Sequence, residues 1–177
     1  MSTISFFSSI DAVTTQSYPL DLYLSHVQDG AWRPMVEGVH LSPEKDEKIS
    51  LPVVALSGLF TIHKDGISLN RHSGFIGIDV EGFRDLYRGK QMLAEDRYTY
   101  AVFDNYSGNS LTVLVRIGAS KPGQGYEHGL AYQALSEYYE AVYGLITDPR
   151  DQLVTKLRFV TYDPDLRANP QAEVFHV

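Results

Sequence analysis

The sequence predicts an α+β fold, with a mixed or antiparallel sheet flanked by helices. Three observations carry that reading. Short apolar runs of strand length recur at residues 4–7, 53–56, 75–80, 98–103, 111–117 and 158–162. Two segments have helical periodicity, one opening at Leu20 and one spanning residues 128–143. The order of these segments lacks the strict strand–helix alternation of a parallel sheet.

Taken in order, residues 4–7 form a first strand. Tyr18-Pro19-Leu20 opens a helix whose apolar positions are Leu20, Tyr23, Leu24 and Val27, with Gly30 as its stop. Residues 42–50 are charged and contain Pro43, which makes a surface loop. Lys64-Asp65-Gly66 separates two apolar triplets, 60–62 and 67–69, as a hairpin turn does. Residues 82–92 read as helical. Residues 104–109 join two strands, and 121–125 form a Gly/Pro loop. In the helix over 128–143, Leu130, Ala134, Leu135, Tyr138, Tyr139 and Val142 share the apolar spacing, and Gly144 ends it. Asp148 and Pro149 are suited to cap and begin a further short helix. The tail from Asp163 onward reads as irregular.

Composition sets limits on function. A chain of 177 residues has the length of one domain, residues 1–177, and can bury roughly 70% of its unfolded surface. Its 44% hydrophobic and 21% charged residues exclude a disordered body. Lys and Arg number 15 against 22 Asp and Glu, a net charge of −7. That charge opposes coating of nucleic acid by bulk electrostatics, although metal ions held by an acidic domain restore local positive charge. There is no Cys, which removes disulfides, thiolate zinc sites and cysteine nucleophiles. The first residues lack a signal-peptide pattern, and no run reaches the roughly 18 apolar residues of a membrane helix. A cytoplasmic protein without a membrane partner is the expectation. P-loop, G-x-S-x-G and H-E-x-x-H patterns are absent.

The chemistry signal lies in Phe75-Ile76-Gly77-Ile78-Asp79-Val80-Glu81. Strand side chains alternate, so Ile76, Ile78 and Val80 face one way and Asp79 and Glu81 the other. Two carboxylates held together on a rigid strand repel unless a cation lies between them. Hard oxygen donors suit Mg²⁺ or Mn²⁺. The plainer alternative is a strand that ends in two solvated acids. Arg71 and His72, with Lys64, form either a small phosphate- or nucleic-acid-binding patch or a polar hairpin edge. His128 reads as a cap or loop contact. The tyrosines at 138, 139 and 143 read as core or as base-stacking groups.

Several blocks together resemble a known family. They are residues 48–60 (Lys-Ile-Ser-Leu-Pro-Val-Val-Ala-Leu-Ser-Gly-Leu-Phe), 72–81 (His-Ser-Gly-Phe-Ile-Gly-Ile-Asp-Val-Glu) and the turn and strand over 103–115. His128 with its helix, Asp148, residues 159–165 and Asn169-Pro170 complete the set. In order and spacing, from about Pro19 to Phe175, they resemble the VirE N-terminal-like domain family, a branch of the archaeo-eukaryotic primase superfamily. The resemblance implies a single RRM-like primase-polymerase core, two Mg²⁺ or Mn²⁺ ions and nucleotidyl transfer on a nucleic-acid template. It assigns metal binding and catalysis to Asp79, to Glu81 in place of a second Asp, and to Asp148, with Asp163 competing for the third acidic position. It assigns nucleotide contacts to Ser107, Gly108, Thr112 and Lys156.

Besides Glu81, the chain departs from that family's pattern at three points. Ser110 replaces a Gly, Thr112 replaces a Lys or His, and Lys156 replaces an Arg with its bidentate fork. The leading expectation is therefore a primase-polymerase-like nucleotidyltransferase of a mobile-element or phage replication system. Its partners would be nucleotides, single-stranded or primer-template nucleic acid, and a separate helicase. A non-catalytic nucleic-acid- or partner-binding descendant is the first alternative, and a metal-dependent nuclease using the same acids is the second.

Overall fold

A computed structural model describes residues 2–41, 50–118 and 127–177. Most of the expected 42–50 loop and all of the 121–125 loop lie outside those residues. Strand β1 (Thr3–Phe7) pairs antiparallel with β2 (Gln16–Pro19) and with β3 (Val53–Ala55). With β10 (Arg158–Phe159) they make a four-stranded sheet in the order β10-β3-β1-β2. Helices α1 (Leu20–Asp29) and α2 (Arg33–Leu41) pack with it. Strands β4 (Gly58–His63) and β5 (Gly66–His72) form a separate two-stranded ribbon.

The other sheet is antiparallel and five-stranded. It contains β6 (Phe75–Glu81), β7 (Thr99–Asp104), β8 (Leu111–Arg116), β9 (Ile146–Thr147) and β11 (Arg167–Ala168), ordered β11-β7-β8-β6-β9. Helix α3 (Leu86–Ala94) connects β6 to β7, and α4 (His128–Tyr143) lies between β8 and β9. The run β6-α3-β7-β8-α4-β9 is thus a split β-α-β-β-α-β unit, with its strands in the spatial order second, third, first, fourth. The expected α+β class and flanked antiparallel sheet are present.

Apolar side chains explain the layering. Ile76, Ile78, Val80, Val113 and Val115 point to one face and pack on Leu93 of α3 and Leu135 and Tyr139 of α4. Phe75, Phe103 and Leu114 point to the opposite face and pack on Leu20, Tyr23, Val54 and Leu56. Asp79 belongs to this second face, at the seam between the two sheets.

Several elements differ from the sequence expectation, each for a physical reason. Strand β2 has no alternating apolar pattern and is held by backbone pairing to β1, from Thr3 opposite Pro19 to Phe6 opposite Gln16. Helix α2 buries only Val36, and it tolerates Pro34 because its first turn needs no such N–H. Helix α3 starts at Leu86 rather than residue 82. Gly82 has φ +105°, and the Asp85 side chain accepts the Arg88 N–H as an N-cap. In α4 the buried stripe is His128, Ala131, Tyr132, Leu135 and Tyr139, whereas Leu130 and Val142 are exposed. The strand expected over 158–162 is only Arg158–Phe159: the Val160 N–H still bonds the Pro52 carbonyl in register, but Pro52 has no N–H to return, and the tail read as irregular adds β11 at the edge of the other sheet. Among the described residues no helix is long and apolar enough to cross a membrane.

Candidate functional site

The site grows from the end of β6. Antiparallel pairing sets Asp79 opposite Thr112 of β8, and Thr112 Oγ1 donates to Asp79 Oδ1 at 2.7 Å. Strand β9 pairs with the other edge of β6, and the Asp148 N–H donates to the Asp79 carbonyl at 2.9 Å. Asp148 then caps a 3₁₀ turn, Pro149–Gln152, by accepting the Arg150 N–H. That single turn carries Asp151 back beneath the strand, where Asp151 Oδ2 accepts the Asp79 N–H at 2.6 Å. The result is three carboxylates, Asp79, Asp148 and Asp151, whose nearest oxygens lie within 4.8 Å of one another.

Three cations surround them. Arg158 lies across β6, with Nη2 donating to the Gly77 carbonyl at 2.7 Å and Nε 3.4 Å from Asp79 Oδ1; it also pairs with Asp151. Gly77 makes this crossing possible, because a Cβ there would stand 3.3 Å from Arg158 Cζ and 2.8 Å from Leu56 Cδ1. Lys156 Nζ is 2.8 Å from Asp148 Oδ2 and 3.4 Å from Asp151 Oδ1. Arg150 Nη2 reaches Asp148 Oδ2 at 2.7 Å from the solvent side.

The electrostatics separate the acids. Burial disfavours the charged form of Asp148, but hydrogen bonds from Arg150 and Lys156 outweigh it and hold the carboxyl well below the usual range. Asp151 is pushed up by burial, with Arg158 opposing the shift. Behind Asp151, His128 Nε2 meets its carbonyl at 3.0 Å and His128 Nδ1 meets His72 Nε2 at 3.2 Å. Burial, with a smaller contribution from His128, lowers His72 to about 3.

These groups stand at a cavity of about 340 Å³. Glu81 lines it but is exposed and stands outside the three-acid cluster. Ser107 also lines it, with its N–H bound to Asn105 Oδ1 at 2.9 Å. Gly108, at φ +68°, closes the same turn through its N–H to the Asn105 carbonyl. Thr112 and Lys156 border the cavity, but both are engaged with acids.

The remaining expected residues lie elsewhere. Asp163 is not with the other acids; it is buried against Lys90. Arg71 sits on the exposed ribbon and donates to Thr3 Oγ1, whereas His72 is buried, so the two do not form one surface patch. Tyr138 and Tyr143 donate to Asp96, packed within the protein rather than presented to a ligand.

Sequence reasoning misses Asp151, Arg158, Tyr106 and Phe159. The spacing Asp148-Pro149-Arg150-Asp151 is a usable signal, because one tight turn brings its two acids together. Nothing in the local sequence marks Arg158, which reads as an ordinary strand residue.

The fold and cavity define an α+β protein with an acid-and-cation site at the seam of two sheets. The chain belongs to the BT4734-like, N-terminal domain family, whose model matches residues 46–167, more than half of its length and the whole of β6 through β9. Neither the curated proteins nor the solved structures contain a match.

Proposed function

We propose that this chain is a primase-polymerase-like nucleotidyl-transfer domain on an RRM-like core. It would act on nucleotides and on single-stranded or primer-template nucleic acid in the replication of a mobile element or phage. The observation that carries the reading is the convergence of Asp79, Asp148 and Asp151 within 4.8 Å at a cavity that also holds Lys156 and Arg150. The split β-α-β-β-α-β order supports the RRM-like assignment, although the sheet face opposite its helices is covered here by α1 and the four-stranded sheet and opens only at the cavity beside Asp79. The resemblance of the His72–Glu81 block to the VirE N-terminal-like family points the same way.

The donor set fits Mg²⁺ or Mn²⁺. Carboxylate oxygens are the hard ligands such ions take. The hydrogen bonds to Asp79 fall on Oδ1, which leaves Oδ2 to the cavity, and Glu81 adds an exposed carboxylate on the same strand face. Bound ions of this kind neutralise phosphate charge and orient the reacting oxygens. Asp151 has both oxygens committed, to the Asp79 N–H and to Arg158, so it is a positioning residue that fixes the end of β6. Lys156 and Arg150 supply positive charge where a triphosphate would lie. The test is primer extension with Mn²⁺, with Mn²⁺ calorimetry alongside. Incorporation by the wild type and its loss in Asp79→Ala are expected. Incorporation that survives Asp79→Ala would reject the site.

A second reading, a binding module without catalysis, is favoured by one observation. The turn over residues 105–110 contains no Lys, Arg or His, and Thr112 spends its hydroxyl on Asp79. Losing one electrostatic contact to developing charge costs about a hundredfold to a thousandfold in rate. Metal-dependent nucleotide binding without incorporation would select this reading.

A further inference from the structure

Helix α1 packs over the sheet face that carries Asp79, and one of its side chains reaches the acid cavity. Tyr23 lines that cavity and is only 1% exposed. Its ring is held by the core, with centroids 5.6 Å from Trp32 and, in an edge contact, 6.3 Å from Phe103. Among the described residues its hydroxyl makes no hydrogen bond. Nor is it one of the unpartnered oxygens sealed within the core, which are those of Thr15, Thr99 and Tyr139. The hydroxyl therefore opens on the cavity that Tyr23 lines. The charges that act on it are those of Arg158 and Asp79. Burial raises the phenol above its ordinary range, so the proton is kept and is available to an acceptor.

We infer that Tyr23 is a ligand-contacting residue, whose hydroxyl donates to a phosphate oxygen that accompanies a divalent cation at Asp79. The inference rests on the metal-and-nucleotide reading above and adds the residue that receives the phosphate. A buried hydroxyl without a partner is costly, and such groups in native proteins call for an explanation. Asp79 Oδ2 is open at the same cavity, since Thr112 and Arg158 both bond to Oδ1. Oδ2 and the Tyr23 hydroxyl thus offer one acceptor for a cation and one donor for an anion. A hydrated metal ion satisfies only the first, because metal-bound water donates hydrogen bonds and its lone pair is spent on the ion. A free anion satisfies only the second and is repelled by Asp79. A divalent cation that carries a phosphate oxygen satisfies both. A neutral donor also suits this place, because the three cations of the cluster are already paired with its three acids.

Calorimetry of the whole chain tests this, with Mn²⁺ alone and with the Mn²⁺ complex of tripolyphosphate. Tyr23→Phe removes the oxygen and keeps the packed ring. It weakens the tripolyphosphate complex by about tenfold or more, as loss of a hydrogen bond to a charged group does. Mn²⁺ alone changes by less than about twofold, because the hydroxyl is not a partner of the bare ion. The melting temperature of Tyr23→Phe does not fall, since the hydroxyl has no partner within the protein to lose. A variant that binds the complex as the wild type does, that loses Mn²⁺ alone to the same extent, or that melts lower would overturn the contact and leave the Asp79 site standing. Wild-type protein that binds Mn²⁺ but not its tripolyphosphate complex would do the same. Wild-type protein that binds neither would overturn the metal reading and the contact with it.

Discussion

Asp163 and Asp79 are both aspartates within reach of a buried cation, and they have opposite surroundings. Asp163 accepts Lys90 Nζ at 2.5 Å and the Asp104 N–H at 2.8 Å on one oxygen, and the Asp165 N–H at 2.9 Å on the other. Lys90 is itself shared with Asp104 at 2.8 Å. Every charge there is answered from within the chain, and the group ties α3 to the end of β7 and to the segment after β10. Asp79 is held on Oδ1 by Thr112 and Arg158, with two further acids beside it and a cavity in front. The first arrangement is complete and rigid. The second matches three acids with three cations, yet its hydrogen bonds to Asp79 fall on Oδ1 alone and leave Oδ2 toward the cavity. An acidic residue becomes a candidate ligand through what its surroundings leave unfinished, not through burial or charge alone.

The comparison can be broken first at the closed cluster, where the largest effect is expected. Lys90→Met leaves the buried Asp163 without its cation and costs about 3–5 kcal/mol of stability, whereas Asp163→Asn keeps the Lys90–Asp104 pair and costs less. Urea unfolding measures this, and Mn²⁺ affinity of the folded protein stays as in the wild type. Should Asp163→Asn remove Mn²⁺ binding and spare stability, the roles of the two clusters would be reversed. Next comes the open cluster. Asp79→Asn weakens Mn²⁺ by about a hundredfold or more, beyond what loss of a supporting partner costs. Its unfolding midpoint moves far less than that of Lys90→Met, because Arg158 keeps Asp151 and the Gly77 carbonyl as partners.

The third test is pH. His72 is lowered to about 3 in the folded chain, chiefly by burial, against about 6.5 when unfolded. Below the unfolded value the unfolded chain takes up a proton that the folded chain refuses. The His72 contribution is therefore fully present above about pH 6.5 and is lost as pH falls toward 3, by up to about 1.4 kcal/mol per pH unit. Asp148, whose folded pKa is depressed, loses its contribution only below the ordinary carboxylate range, so the histidine effect is read between about pH 6.5 and 4. Denaturant titrations at a series of pH values should show a flatter dependence in His72→Gln than in the wild type. The smallest effect sharpens the charge argument. Lys156→Met removes a cation that competes with metal at Asp148, and Mn²⁺ binding tightens by about fivefold, the worth of about 1 kcal/mol of Coulomb energy. Unchanged or weaker Mn²⁺ binding in calorimetry would show that Lys156 supports the metal site instead of opposing it.

Much of the fold is legible because it follows from repeating patterns. The β6 run of alternating Ile76, Ile78 and Val80 specifies a strand and places Asp79 on the other face, as the sheet has it. The Asp148-Pro149 pair specifies a capped turn, and the His128–Tyr143 periodicity specifies a helix, although its buried stripe is rotated away from Leu130 and Val142. The weaker elements escape sequence reading because their stability comes from neighbours. Strand β2 exists through β1, and α2 through buried Val36 and the bond from His40 to the Tyr106 carbonyl.

The candidate site divides in the same way. Sequence by itself determines that a strand ends in Asp79 and Glu81 and that Asp148 caps the next turn, since both depend on chain-local periods and capping. Only the tertiary structure decides that Asp151 rather than Asp163 completes the acid cluster, because that choice turns on which of two distant segments passes under β6. It also decides that Arg158 crosses Gly77, and that Tyr106 meets Phe159 across 53 positions of chain. Such contacts between remote side chains are set by how two sheets close on a shared core, and that closure is a property of the packed chain as a whole.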